Sequence, residues 1–461
     1  MKYIFFLLVV MCGSISNAQL RLPSVLSSGM VLQQKDSVTI WGWGYTGLNA
    51  TVNTSWDNKN YTDKINNLGK WKVRIKTPVA GGPYAITINS GGQQIALTDV
   101  LIGEVWLCSG QSNMEWSFYN GARFIKEEFA TCYNNNLRFY HVPRFAAQYP
   151  QEDIKTNWQV CDSNSIKAFS AVAYFFGKRL QQQLNVPIGL INASWGGTPA
   201  ETWANANSVY SDATLKAAAE KMQEVPWGPV APGYLYNGML YPVSSFSIAG
   251  AIWYQGESNV GAYNTYTKLL TTMVESWRST WKKEFPFYYV QIAPYNYGND
   301  NINGALLMEA QTKAQQYKKM GMVVITDQVD TVADIHPKDK RQVGARLANW
   351  ALADNYGKDT IVYKSPALGS FAINKNKIEL SIINAPTGLV NKGNAVIGFY
   401  IAGADKNWQP ATAIINNSKI VVSTKTVKEP LYVRYGFTNT LIGSVFSNEG
   451  LPLCPFRTDN D

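Results

Sequence analysis

Between Leu101 and Lys358 the chain alternates short apolar runs with helix-length amphipathic segments, and no other feature limits its fold as strongly. The runs are "EVWLCSG", "LRFYHV", "PIGLINAS", "SIAGAIWYQ", "FYYVQIAP" and "MVVITDQV". The amphipathic segments include "AFSAVAYFFGKRLQQQL", "YTKLLTTMVESWRSTWKKE" and "ALLMEAQTKAQQYKKMG". Runs that are apolar on both sides need cover on both sides. The pattern therefore predicts an α/β fold, a parallel sheet with helices on each face. A last helix is expected from near Pro337, with Val343, Leu347, Trp350 and Ala351 on one face.

On either side the period changes to two. "SVTIWGWG", "ATVNTSW", "KWKVRIKT" and "YAITINS" alternate apolar and polar positions between Gly, Asn and Pro turns, which predicts an antiparallel sandwich over residues 19–100. "AVIGFYIAG", "ATAIINNSKIVVST" and "PLYVRYGF" predict a second antiparallel module over 359–461. Residues 101–358 form the α/β domain between them. The first 18 residues, "MKYIFFLLVVMCGSISNA", read as a secretory signal with small residues where signal peptidase reads, cleaved after Ala18. Met11 before Cys12 is too large for the usual lipidation site, so export as a free secreted or periplasmic chain is expected. No later segment reaches the length of a membrane span.

The net charge of +9 is spread thinly. Its densest pieces, such as "KDKR" at 338–341, read as solvated helix faces or termini, which argues against nucleic acid as a partner. Cysteines 108, 132, 161 and 454 match no zinc spacing; Cys132–Cys161 is the natural disulfide by position, with four buried thiols the alternative. Nothing in the sequence speaks to oligomeric state.

Ligands of open α/β sheets bind beyond the carboxyl ends of the strands, and four of those junctions carry unusual residues. In "WLCSGQSNMEW", Ser112 follows a strand and a glycine at the start of a helix. In "INASWGGTPAETW", Gly196 and Gly197 offer backbone N–H groups without side chains in the way. In "IWYQGESNV", Gln255, Glu257 and Asn259 cluster at a strand end. In "VITDQVDTVADIHPKDKR", His336, one of only two histidines in the chain, follows Asp327, Asp330 and Asp334. The other is His141. Two histidines, no "HExxH", no P-loop and no strand-linked "GxGxxG" give little support to metal or nucleotide chemistry, so no cofactor is expected.

"GQSNMEW", "SWGGTPAETW", "WYQGESN" and "DIHPKDKRQVGARLA" occur in this order, and together they resemble the SGNH (GDSL-like) hydrolases and, among them, the sialate O-acetylesterase family of carbohydrate esterases. "GMVLQQKDSVTIWGWG" and "EGLPLCPFRTD" extend the resemblance to both ends. It implies an SGNH-hydrolase, flavodoxin-like sheet, with Ser112 as nucleophile and His336 as base. The oxyanion hole would be Ser112 N–H, Gly197 N–H and a side-chain amide, Gln255 first and Asn259 second. Gln111, Asn113, Trp195 and Glu257 fall inside the motifs and are expected to contact an O-acetylated sugar. Many SGNH hydrolases carry the acid three residues before the histidine. That position is Ala333 here, so Asp334 takes the role, with Asp330 or a backbone carbonyl as the other options. The implied function is removal of O-acetyl groups, from sialic acids first and plant polysaccharides such as xylan second. A non-catalytic glycan-binding protein is the rival outside enzymes.

Overall fold

The structure is a computed structural model that describes residues 19–298 and 301–459; the signal-peptide segment lies outside the described residues. Its centre is a sheet built from β1 (Gln93–Gly110), β2 (Asn134–His141), β3 (Trp158–Cys161), β4 (Ile188–Ser194), β5 (Gly250–Tyr254), β6 (Phe287–Val290) and β7 (Met320–Val323). The spatial order is β7-β6-β5-β1-β4-β2-β3. All neighbours pair parallel except β3, which adds an antiparallel edge that the sequence did not announce. The chain lays β2 to β4 on one side of β1 and β5 to β7 on the other. The crevice at this reversal opens at the end of β1.

The strands are covered on both faces, as predicted. Trp106, Cys108, Ile252, Tyr254, Tyr288 and Val290 pack into one core with α2 (Ala171–Leu184) and α5 (Lys340–Trp350). The residues between them, Val105, Leu107, Ala251, Trp253, Phe287 and Tyr289, pack into the other core with α3 (Tyr263–Trp281) and α4 (Asn303–Ala314). Strand alternation thus feeds two apolar layers from one sheet. Helix boundaries follow local chemistry. Ser170 caps α2 by accepting from Ala173 N–H, and Asn185 ends it in the left-handed conformation. Helix α5 starts at Lys340 behind the Asp339 cap, three residues later than the sequence suggests, and buries Val343, Leu347 and Trp350. Strand β7 begins at Met320, two residues ahead of the "MVVITDQV" run, and ends at Val323.

The period change near Leu101 has a structural cause. Strand β1 is continuous: its first half pairs antiparallel with Gly81–Ser90 in the N-terminal module, and its second half is the middle of the parallel sheet. It passes from partly exposed to buried on both faces without a break. The N-terminal module adds the antiparallel pair Ser37–Trp43 with Lys70–Lys76. The C-terminal module has its own core, with Ala367–Asn374, Lys377–Ile383, Lys419–Ser423 and Thr412–Asn416 in one antiparallel sheet. It is tied back to α4 by Arg457, which donates to Glu309 at 2.9 and 3.1 Å.

The expected Cys132–Cys161 disulfide is not formed. All four described cysteines are free and buried, and the Cys161 thiol donates to the Cys132 carbonyl at 3.0 Å instead. Cys454 packs against Gln291 and Thr312.

Strand β1 ends at Gly110 with φ +144°, and a Cβ there would lie 2.2 Å from the Tyr254 carbonyl oxygen on β5. Gly110→Ala is therefore expected to destabilise the protein by about 2–4 kcal/mol, read as a lowered thermal midpoint. An unchanged midpoint would show that the strand end can yield.

Candidate active site

Beyond Gly110 the chain is held from both sides. Gln111 N–H donates to Tyr254 O at 3.0 Å, and Trp195 N–H donates to Gly110 O at 3.1 Å. Ser112 therefore emerges between the carboxyl ends of β4 and β5, at the first turn of α1 (Ser112–Glu115). His336 arrives from the loop after β7, and its Nε2 lies 2.9 Å from Ser112 Oγ. Both line an open cavity of about 580 Å³, with Gln111, Gly197, Glu257 and Ile335 among its other walls.

His336 is held by stacking and burial. Its ring lies on Trp116, with centroids 4.6 Å apart and planes 21° apart. Burial pushes its pKa below the ordinary 6.5, the charge of Lys340 pushes the same way, and Asp334 opposes both. Asp334 does not make the expected ring contact. Its Oδ1 is 3.7 Å from Nδ1, beyond hydrogen-bond reach, and accepts the His336 backbone N–H at 2.9 Å. Asp330 and Asp327 are also placed: they pair with Arg123 and Arg346 at 2.7 and 2.6 Å. The acidic loop thus supplies one carboxylate near His336, and that carboxylate shapes the backbone. His141 ends β2 and packs edge-on against Phe169, outside the cavity wall.

Ser112 and Gly197 both line this cavity. Among the described residues, neither Ser112 N–H nor Gly197 N–H donates to another protein group. Gly197 has φ +74°, and a Cβ there would sit 2.3 Å from the Trp227 ring, so only glycine fits. The turn is braced by Glu115, whose carboxylate accepts Gly196 N–H at 2.9 Å and grips Arg144 through two contacts of 2.6 Å. Trp195 does not line the cavity. Its indole donates to Trp227 O at 2.8 Å and supports the wall from behind.

The side-chain amides fall differently from expectation. Gln255 Nε2 donates to Thr198 O and Asn259 Oδ1 at 3.3 and 2.7 Å, while Asn259 Nδ2 donates to Glu201 at 2.9 Å. Both residues are buried behind the cavity, with their amino groups spent on the turn that carries Gly197. Two other amides line the cavity, Gln111 and Gln223, and Gln223 spends its amino group on Lys221 O at 3.3 Å. Gln111 Oε1 accepts Gly256 N–H and Ser258 N–H at 3.3 Å each, and its amino group has no protein acceptor among the described residues. Asn113 is fully buried, and Glu257 shows only an edge to the cavity.

Sequence reading missed three groups. Arg144 and Trp227 sit far from any motif and join the site only through the fold. Lys340 lies in the "KDKR" stretch expected to be solvated, yet it is fully buried with its Nζ 2.6 Å from Asn113 Oδ1. The signal was its place in the "DIHPKDKRQVGARLA" motif, on the first turn after His336. Among the described residues no cluster of three or more His, Cys, Asp or Glu is arranged to hold a metal ion, and no helix is long and apolar enough to cross a membrane.

Comparison with known proteins agrees with this architecture. Residues 102–353 match the family model described as carbohydrate esterase, sialic acid-specific acetylesterase. Human sialate O-acetylesterase is 30% identical over 387 residues, covering 75% of this chain and 73% of its own. The mouse protein of the same name is 28% identical over 433 residues, covering 80% and 78%. A crystal structure of a carbohydrate acetylesterase from Xanthomonas citri superposes with a TM-score of 0.87 at 35% identity, covering 96% of this chain and all of that one. An α/β sheet with these motifs at its carboxyl edge, matched over most of its length, makes the protein an esterase, and the chain belongs to the sialic acid-specific acetylesterase family of carbohydrate esterases.

Proposed function

We propose that the protein is a secreted serine esterase that removes O-acetyl groups from carbohydrates, with O-acetylated sialic acids as the first substrate class. The observation that carries this reading is the 2.9 Å contact between Ser112 Oγ and His336 Nε2 in an open cleft. His336 takes the Ser112 proton as Oγ attacks the acetyl carbonyl carbon. The carbonyl oxygen becomes an oxyanion beside Ser112 N–H and Gly197 N–H, with the amino group of Gln111, which lines the same cavity, as the third donor. The imidazolium then returns its proton to the departing sugar oxygen as the ester C–O bond breaks, leaving acetyl-Ser112. Water repeats the sequence: His336 accepts its proton as the water oxygen bonds to the acetyl carbon, and the acyl–Oγ bond then breaks as the imidazolium returns the proton to Ser112 Oγ, releasing acetic acid, which ionises to acetate. No other group is needed for this balance.

The depressed pKa of His336 suits a base that must be neutral at rest. Asp334 supports it through the loop backbone and by charge, without a ring hydrogen bond. The relatives named sialate O-acetylesterase support the sialate substrate, as does Arg144, the only Lys or Arg lining the cleft among the described residues. A neutral acetylated polysaccharide is the second reading, because Glu115 already neutralises Arg144. Export rests on the N-terminal "MKYIFFLLVVMCGSISNAQL".

Ser112→Ala and His336→Ala are each expected to abolish hydrolysis of p-nitrophenyl acetate while the fold persists. Full activity in Ser112→Ala would overturn the nucleophile. Asp334→Asn should cost far less than the roughly 10⁴-fold loss typical when an aspartate bonds the imidazole directly. Because a depressed pKa keeps His336 neutral to lower pH, the acid limb of kcat/KM should have its midpoint below 6.5. A limb above that value contradicts the assignment. Gln111→Ala should lose about 10²–10³ in kcat as an oxyanion donor, whereas Gln255→Ala and Asn259→Ala should lower the thermal midpoint first. Loss of kcat at an unchanged midpoint in Gln255→Ala would return the donor role to Gln255. Arg144→Ala should reduce kcat/KM on O-acetylated sialic acid more than on acetylated xylan; equal effects favour the neutral substrate. N-terminal sequencing of the exported protein should begin at Gln19, and a retained leader would contradict export by this route.

A further inference from the structure

Three polar side chains form a chain beneath the nucleophile and base. Lys340 Nζ donates to Asn113 Oδ1 at 2.6 Å, and Asn113 Nδ2 donates to Glu257 Oε1 at 2.6 Å and to Ile335 O at 3.1 Å. Asn113 follows Ser112, and Ile335 precedes His336. The amide therefore ties the segment after one reacting residue to the segment before the other, across 222 positions of sequence. Lys340 and Asn113 are fully buried and Glu257 is 9% exposed, so the three polar groups meet beneath the cleft, which only an edge of Glu257 reaches.

The orientation of the Asn113 amide is dictated by its neighbours. An ammonium group only donates, so it must meet Oδ1. A backbone carbonyl and a carboxylate only accept, so they must meet Nδ2. Turning the amide over would set its amino group against the ammonium and its oxygen against two acceptors. Lys340 thus decides which end of Asn113 holds Ile335. Glu257 Oε2 is buried without a partner among the described residues, a costly placement for a carboxylate unless a nearby cation offsets it. Lys340 supplies that cation. Its ammonium also lies 5.3 Å over the Trp116 ring on which His336 stacks.

We propose that Lys340, Asn113 and Glu257 are a positioning relay that locks the Ile335–His336 segment against Ser112 and so holds the base within reach of the nucleophile. This rests on the Ser112–His336 esterase reading. It also gives Asn113 and Glu257 a task other than direct contact with sugar. The charged groups facing His336 are Asp334 from its own loop and Lys340 from α5, and those facing Lys340 are Glu257, Asp334 and Asp339. Lys340 is the group in this set that opposes protonation of His336.

The test is steady-state kinetics of Lys340→Met, Asn113→Asp, Glu257→Ala and Glu257→Gln on p-nitrophenyl acetate across pH, beside wild type and Ser112→Ala. Displacing the base should lower kcat by about 10²-fold with little change in KM. Asn113→Asp, which sets an oxygen against the Ile335 carbonyl, should do so with a one-atom change. Glu257→Gln keeps an acceptor for Asn113 and should recover much of the rate lost in Glu257→Ala. In Lys340→Met the acid limb of kcat/KM should move to higher pH, because a cation that kept His336 neutral is gone. If Lys340→Met does not fold, the Asn113 and Glu257 variants decide alone. Wild-type kcat in Asn113→Asp, raised KM at unchanged kcat, or a fixed acid limb in folded Lys340→Met would each overturn the relay. These outcomes leave the esterase reading intact as long as Ser112→Ala is dead. Activity in Ser112→Ala removes that reading instead.

Discussion

The site depends on one backbone constraint, the end of strand β1. Gly110 is pinned on both sides, by Trp195 N–H bonding its carbonyl and by the Tyr254 backbone lying too close for any side chain. The next residue is bonded to Tyr254 as well, so the chain leaves the sheet in one direction. Ser112 is carried to the carboxyl edge at the point where strand order reverses. The residues that serve it come from the ends of β4, β5 and β7, and all of them depend on that sheet staying in register. The long β1 also makes the N-terminal module part of the same framework, since one strand belongs to both sheets.

The electrostatics around His336 differ from those of a triad in which a buried aspartate grips the ring. Here the carboxylate bonds the backbone, and burial with Lys340 sets the histidine pKa. The ring is oriented by the Trp116 face and by the loop that Asn113 and Asp334 fasten. Burial pushes the Lys340 pKa down to about 7, with Glu257 opposing, so the buried cation is itself close to its titration range at neutral pH. In the proposed mechanism His336 is thereby kept neutral by its surroundings rather than activated by a directly bonded anion.

Much of this was legible in the sequence. The alternation of apolar runs and helices identified the sheet, because strands buried on two faces leave continuous Val, Ile and Tyr runs that no loop would keep. Ser112 and Gly197 stood out because they follow strand ends, where small or reactive residues have no packing reason to be, and His336 because it is one of only two histidines and follows an acidic loop. Three things were not legible. The edge strand Trp158–Cys161 is only four residues long and leaves no period to read. The ends of the Gln255 and Asn259 amides depend on which acceptors the fold brings near, such as Thr198 O and Glu201, and spacing says nothing of that. Lys340 looked solvated because its neighbours Lys338 and Arg341 are charged; only the three-dimensional pocket formed by Asn113, Trp116 and Tyr254 shows why a lysine is buried there.

The central claim is that Ser112 is a nucleophile made reactive by His336. The most direct measurement is active-site labelling with a fluorophosphonate, followed by mass mapping of the modified peptide. Stoichiometric label is expected on Ser112 in the wild-type chain, and its loss in a folded His336→Ala variant. Label on another residue, or undiminished labelling of Ser112 without His336, would contradict that claim.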